Sequence, residues 1–519
     1  MHLIDTIIIA AYLLTLIAIG LRVSGRQHTT DTYFVADRSV PGWAAGLSLL
    51  ATIITSVTFI AYPGAAYSGD WTLLVPGIMF VAVIAALGPI IVPFFRHAIS
   101  MSVYEYFGKR FGPGVRMYAS FAFATGHFAK MGFVFYLLAL SVSGITGWPI
   151  ALIIIVLGLI TILYTFLGGL EAVIWTDVAQ GFLLWTGVLV TITLLLFHSN
   201  ATPAAMLHLI AANHKTQLGG FTFNLAKPTF WTMAIYGLFF YLQKYTADQT
   251  VVQRYLAAKT DRSALRGMAL GASLCLPIWT AFMLIGSLLW AFYKITGEAL
   301  PTTITRPDQV FPHYMVTHMP IGVAGLFLAA LFGAAMSMLA SDLNCLALIL
   351  VEDFYGHFFP TRTDRQRLTF GKLCVVLSGI LAIVVALRLS TTQGSALALY
   401  YTATAIVAGG LAGLFLLAFL SRHAGRTAAL IGITISLTFT AWATLTLNNG
   451  KLLNLGRYNY PWHEYTLGAA GNLLLLATGL LAALAFPDPA TNKAGLTLWD
   501  YLTARKLSNL HTIPLGETP

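Results

Sequence analysis

Charge is what this sequence has least of. Lys, Arg, Asp and Glu make up 9% of its 519 residues, against about 25% in soluble domains. A water-soluble globular enzyme, a coiled coil and a disordered chain are all excluded, because too few charges remain to solvate a surface of that size. Cysteine is scarcer still. Cys275, Cys345 and Cys374 each fall in an apolar run without metal-ligand spacing, which excludes a disulfide framework and a zinc site and leaves three small buried hydrophobes. No Gly-x-x-x-x-Gly-Lys-Ser/Thr loop occurs, so an ATP-driven pump of the phosphate-loop class is removed. His463-Glu464 is followed, at metalloprotease spacing, by Leu467 instead of a second histidine. The histidines lie mostly in loops or at helix ends, and no constellation for covalent chemistry emerges, so the chain does not read as an enzyme.

What the sequence has in abundance is apolar length: 58% of its residues are hydrophobic. Runs long enough to span a bilayer, about 20 residues each, begin near Ile4, Gly42, Leu73, Val115, Pro149, Ala172, Phe230, Met268, Ile321, Leu373, Ala396, Thr427 and Thr466. Numbered 0 to 12, they predict an all-α integral membrane protein of about thirteen transmembrane helices, with termini on opposite sides. With the N-terminus outside, the cytoplasmic segments hold 21 of the 29 Lys and Arg and the outer loops seven, with Lys130 inside a span. The positive-inside rule therefore predicts N-out and C-in in a cell membrane. No Lys or Arg precedes the first run, while Arg22 and Arg26 follow it; these flanks are the reverse of an export signal, so residues 1–24 read as a retained helix. The net charge of +10 is the same positive-inside bias and not a nucleic-acid footprint. No feature requires a protein partner; the partners expected are the lipid bilayer and a small solute.

Hydroxyls and helix breakers mark where that solute and a cation would sit. Span 1 carries Thr52, Thr55, Ser56 and Thr58 just ahead of Tyr62-Pro63-Gly64. Thr52, Thr55 and Ser56 recur at intervals of three and four, which places them on one helical face. Span 8 carries Gly333-Ala334-Ala335-Met336-Ser337 and then Ala340-Ser341-Asp342-Leu343-Asn344. Small residues allow close backbone approach, and an ionisable Asp342 within a span is either functional or paired. Many helices interrupted by Gly and Pro, with hydroxyls at mid-depth, point to a carrier, since unwound backbone can hold a cation only where it lines a protected cavity.

Several segments, in order, carry a family resemblance: Tyr33-Phe34-Val35-Ala36-Asp37-Arg38, Val103-Tyr104-Glu105-Tyr106-Phe107-Gly108-Lys109-Arg110-Phe111, Gly168-Gly169-Leu170 with Trp175-Thr176-Asp177, Val252-Gln253-Arg254-Tyr255-Leu256-Ala257-Ala258-Lys259, and Leu339-Ala340-Ser341-Asp342-Leu343-Asn344. With these the chain resembles the sodium:solute symporter family, which includes sodium/glucose, proline, pantothenate and sialic acid carriers. The resemblance implies a LeuT-type core of two inverted five-helix repeats, which would divide the chain into residues 40–200 and 229–421, with an outer loop at 201–228, two further helices over 427–486 and a cytoplasmic tail from 487. It also implies Na+ as coupling ion, held by the carbonyls of Ala51, Ile54 and Ala334 and the hydroxyl of Ser337, with Asp177 close by as a negative charge. Where the family places a second Ser or Thr after Ser337, this chain has Met338, a soft thioether and a poor partner for sodium. Water or Asp177 then supplies the missing oxygen, or sodium binds weakly, or a proton is the coupling ion. Ala340 stands where a second sodium site would need a serine, so no strong second site is expected.

Lys130 falls about halfway along span 3, where a lysine costs roughly 2.5–3.5 kcal/mol. By analogy with the arginine of sialic acid carriers it would grip a substrate carboxylate; the alternatives are an internal pair with Asp342 or Asp177, or snorkelling to an interface. Leu73 through Phe95 contains no hydrogen-bonding side chain, which disfavours a neutral polyhydroxylated sugar because each unpartnered hydroxyl loses affinity. Thr52, Thr55, Thr58, Phe239 and Gln243 are the other substrate contacts expected. The function implied is a sodium-coupled symporter for a small anionic carboxylate of monocarboxylate, sialic or uronic acid type, with a proton-coupled carrier, an uncoupled facilitator or a sugar carrier as the alternatives.

Overall fold

The computed structural model describes residues 2–197, 202–302, 304–391, 410–450, 452–488 and 495–503. Among them there is no strand, and one isolated bridge joins Val40 to Ala258. This is what a bilayer imposes: a helix satisfies its own backbone where water cannot. The principal helices are α1 (Leu3–Ser24), α2 (Gly42–Ile53), α3 (Ser56–Ser68), α4 (Val75–Ala98), α5 (Pro113–Thr146), α6 (Ile150–Phe197), α7 (Phe230–Ala247), α8 (Gln249–Ala257), α9 (Asp261–Thr296), α10 (Val323–Ile349), α11 (Asp364–Thr391), α12 (Leu411–Leu420), α13 (Arg426–Gly450) and α14 (Tyr465–Ala485).

Nine helices among the described residues are long and apolar enough to cross a membrane, and the bent pair α2 and α3 makes a tenth. The expected starts near Pro149 and Ala172 correspond to the two helices that meet within α6, a run of 48 residues broken at Gly169. At 1.5 Å per residue that is about 72 Å, more than twice the roughly 30 Å of a hydrocarbon core, so the kink at Gly169 (φ 53, ψ −147) divides it into two crossings. α7 has only 18 residues and carries Lys244 in its last turn. The expected start near Ala396 lies outside the described residues, where α12 is the part of that span that is seen.

Depth within the bundle separates the helices. The most apolar stretch of the segment containing α10 is 83% buried by protein, whereas that of α1 is 22% buried and faces lipid. α10 is therefore the central post, packed against α6, α1, α5, α11 and α2. α2 meets α9 at glycine: a Cβ on Gly46 would stand 2.4 Å from the Gly267 carbonyl oxygen, the close backbone approach by which membrane helices associate without a hydrophobic drive.

Two breaks stand at corresponding places. α2 ends where Ile54 (φ −81, ψ 107) and Thr55 (φ −104, ψ 169) turn extended, and α3 leaves at 59°. α7 ends at Asp248 (φ −105, ψ 111), which is also the N-cap of α8. The first core helix and the first helix after the 201–228 connection are thus both unwound in mid-course, as expected of the opening helices of two five-helix repeats.

Gly169 allows a test of this frame. Its φ is positive, and a Cβ there would lie 2.5 Å from the Tyr33 carbonyl oxygen, which is fixed backbone. Gly169→Ala is expected to destabilise by about 1–3 kcal/mol, read as a lower thermal unfolding midpoint of the purified protein in detergent; an unchanged midpoint would show that the kink tolerates a side chain.

Candidate functional site

The break between α2 and α3 sets out oxygen atoms. Ala51 lies in the last turn of α2, so its carbonyl has no partner within that helix, and Ile54 belongs to neither helix. Both residues are buried, as are Ala334 and Ser337 of α10. The Ser337 hydroxyl donates its one hydrogen to Asp177 Oδ1, which leaves its oxygen lone pairs free. Two released carbonyls, one helical carbonyl with a spare lone pair and one hydroxyl oxygen are the neutral hard donors a sodium ion takes, so these residues fit that ion. Among the described residues no cluster of three or more His, Cys, Asp or Glu suits a transition metal. Met338 is buried on α10 beside Ser337 and supplies no oxygen.

Asp177 is not a bare charge near this place. Its Oδ2 accepts from the Ser48 hydroxyl of α2 at 2.5 Å and lies 3.3 Å from the Arg254 Nη2 of α8, and both charged residues are fully buried. Arg254 also donates to Ser48 Oγ at 3.2 Å, to the Thr250 carbonyl at 2.8 Å and to Ser341 Oγ of α10. Sequence reasoning counted Arg254 among the cytoplasmic charges and missed this role. The signal was there: Arg254 is flanked by Val251, Val252, Tyr255 and Leu256, a setting in which a solvated arginine is out of place. The neighbouring motif residues tie α8 and α10 to each other and to the Tyr33–Phe34 segment. Gln253 donates to the Phe34 carbonyl at 2.5 Å and to Asn344 Oδ1 at 2.7 Å, and Asn344 donates to the Tyr33 carbonyl at 3.5 Å.

A second charged cluster surrounds Lys130. Its ammonium lies 2.9 Å from both oxygens of Asp342 and donates to Oδ1, while Oδ2, equally near, has no aligned donor. Of the three environments considered for Lys130, this is the internal pair. The lysine side chain keeps 30% of its surface exposed, whereas Asp342 has none. His127, one turn earlier on α5, places Nδ1 2.7 Å from Asp342 Oδ1 and Nε2 3.5 Å from Asp248 Oδ2, and Lys244 meets that same Asp248 oxygen at 2.5 Å.

The remaining expected contacts scatter. Thr52 is buried and donates to the Ser48 carbonyl at 2.7 Å, the back-bonding common for hydroxyls in membrane helices. Thr55 is half-buried as the N-cap of α3, and Thr58 is buried one turn on. Phe239 and Gln243 are half-buried on α7 and join neither charged cluster by a hydrogen bond among the described residues. A cavity of about 470 Å³ opens along α3, the second half of α5 and the 304–316 segment, lined by Ser56, Ile60, Ser141, Arg306, Gln309 and His313 among others. The Ser56 hydroxyl at its wall is buried without a hydrogen-bond partner, a place where a polar ligand atom would be stabilised. Ser56 was visible in the hydroxyl cluster but not nominated.

Removing one member of a buried ion pair strands the other. Arg254→Met is expected to cost about 3–5 kcal/mol of stability, and Arg254→Met with Asp177→Asn to recover much of it. Chemical denaturation in mixed micelles reads both; equal losses in the single and double variants would show that the two side chains do not act as a pair.

The chain matches the sodium:solute symporter family over residues 33–436. It is 32% identical to the sodium/sialic acid symporter NanT of Aliivibrio fischeri, over 92% of each chain. It is 30% identical to the sodium/sialic acid symporter SiaT of Proteus mirabilis, over 92% of this chain and 94% of that one. Among solved structures it superposes on a substrate-bound, outward-open sodium-coupled sialic acid symporter with a TM-score of 0.85 at 30% identity, covering 94% of this chain and 99% of the other. With the broken helices and the all-helical LeuT-type core already in place, the chain belongs to the sodium:solute symporter family and is a multi-pass, sodium-coupled carrier of a small solute, not an enzyme.

Proposed function

We propose that this carrier imports a small organic carboxylate, with an acidic sugar of the sialic acid type as the leading candidate, and that Lys130 is its anion receptor. The observation that carries this is the double service of Asp342. It is met by Lys130 at 2.9 Å and by His127 at 2.7 Å, so an incoming carboxylate can take the partly exposed lysine while Asp342 keeps His127. An ammonium fixed this far inside the bundle needs an anion at every stage, and exchanging one carboxylate for another keeps it paired throughout. The two bacterial relatives named above support the acidic sugar, since sialic acid carries one carboxylate. α4 offers such a sugar no polar side chain between Val75 and Phe95, so its hydroxyls would rely on Thr55, Ser56, Thr58 and Gln243, with Phe239 and Thr52 contributing contact surface.

In this reading sodium is held by the carbonyls of Ala51, Ile54 and Ala334 and by the Ser337 hydroxyl, beside Asp177. The ion ties the broken helix to α10 and favours the state in which the substrate site is formed; its release loosens that contact, so that coupling arises from different affinities in two states. For one sodium ion per substrate, a tenfold sodium ratio contributes about 1.4 kcal/mol and supports about tenfold accumulation. The repeats would run over residues 40–200 and 229–421. The 21-to-7 distribution of basic residues supports an outer N-terminus and an inner C-terminus in a cell membrane. The cavity along α3, with Arg306 and His313 at its wall, then faces outward as the substrate's entrance. Met338 supplies no side-chain oxygen next to Ser337, so the ion relies on the three carbonyls and the Ser337 hydroxyl.

Proteoliposomes test this reading. N-acetylneuraminate, hexuronates and simple monocarboxylates should accumulate only under an inward sodium gradient, whereas a facilitator equilibrates without accumulation. Lys130→Met should weaken binding of the accepted anion by about 10- to 150-fold, the worth of a hydrogen bond to a charged group of roughly 1.5–3 kcal/mol. Unchanged affinity in that variant would remove Lys130 as receptor.

A further inference from the structure

Five ionisable side chains from α5, α7, α10 and the α7–α8 break form one continuous chain: Lys130, Asp342, His127, Asp248 and Lys244. His127 is its middle link, with Nδ1 2.7 Å from Asp342 Oδ1 and Nε2 3.5 Å from Asp248 Oδ2. The other Asp248 oxygen is taken by the Thr250 hydroxyl at 2.5 Å and the Thr250 backbone N–H at 2.9 Å, and the Phe123 ring stacks on the imidazole at 3.7 Å. The remaining titratable groups close to this chain are already committed as neutral donors: the Tyr104 hydroxyl to the Ala247 carbonyl at 2.9 Å and the Cys345 thiol to Gln253 Oε1 at 2.9 Å. Arg254, on α8 beyond them, is committed to Asp177.

A neutral imidazole has one N–H and so can donate to only one of the two carboxylates it faces; an imidazolium donates to both. Charge counting gives the same direction. With His127 protonated the chain holds three cations and two carboxylates, an excess of one positive charge that a single substrate carboxylate cancels. With His127 neutral the chain is already balanced, and the same carboxylate would leave one buried negative charge uncompensated, which a low-dielectric interior opposes. Proton and anion therefore reinforce one another, and such linkage is reciprocal. The sodium donors lie elsewhere on α10: Asp342 is five residues from Ser337, roughly 140° round the helix. We infer that the carrier binds a proton on His127 together with the carboxylate of its substrate, so that loading the site takes up a proton as well as sodium. This rests on the reading that Lys130 receives the substrate carboxylate. His127 is a positioning residue in it, acting through Asp342 and the charge balance of the chain.

The test is calorimetric titration of the purified full-length protein with N-acetylneuraminate in saturating sodium, in buffers of different protonation enthalpy. The pH is varied from about 5.5 to 8, the range in which histidine changes charge. Proton uptake approaching one per bound anion at its maximum is expected, with affinity highest at acid pH and falling by up to about tenfold per pH unit as the histidine proton is lost. His127→Gln should bind more weakly, take up no proton and give a flat pH profile. Heats independent of buffer together with pH-independent affinity in the unaltered protein would overturn the inference, and this measurement requires no variant to fold. Equal proton uptake with the methyl ester of the same sugar would overturn it too, because the ester brings no charge. Absence of binding heat in every buffer would instead overturn the substrate assignment beneath it.

Discussion

The buried pair between Asp177 and Arg254 holds this structure's centre. Neither side chain reaches solvent, and between them they engage Ser48 on α2, Ser337 and Ser341 on α10 and the backbone of α8. In a bilayer such groups find no water to return to, so every hydrogen-bonding position has to be met by protein. The carboxylate and guanidinium thus fix how four elements meet: α2, the first half of the broken first core helix, the second half of α6, the central post α10, and the short helix after the second break. A buried pair of this kind contributes little net stability compared with an apolar packing. Its effect is to specify one arrangement of α2, α6, α8 and α10.

The two breaks follow from the same economy of polar groups. Unwound backbone in a membrane is tolerated only inside protein or beside a cavity, and both breaks meet that condition. At the first, Ile54 is buried, Thr55 is half-buried and Ser56 lines the cavity. At the second, Asp248 caps α8 with its own side chain, pairs with Lys244 and lies 3.5 Å from His127 Nε2. Each break is therefore attached to a charged cluster, one through Ser48 and Asp177, the other through Asp248.

Those clusters share helices without sharing residues. Ser337, Ser341 and Asp342 follow one another on α10, and Asp248, Thr250 and Arg254 on the α7–α8 segment. A shift of α10 against that segment would disturb both at once. This gives a physical route by which occupancy of the proposed sodium position and of the proposed anion position could bias the same two-state element, which is the requirement for coupled transport.

The amino-acid sequence determined the class of molecule unaided: too little charge for a water-soluble surface, apolar runs of bilayer length, and Lys and Arg collected on one side. It also marked both hydroxyl clusters and the misplaced lysine, because composition and periodicity are local properties that a bilayer reads directly. What it could not settle was pairing. Lys130 had three possible environments and lies with Asp342; Asp177 was expected as a negative charge close to the ion, and its partner Arg254, 77 residues away, was not foreseen; His127 gave no sign that both its ring nitrogens face carboxylates. Each of these depends on which distant side chain fills a given cone of space in a water-free interior, and sequence spacing carries no record of that once the partners lie on different helices.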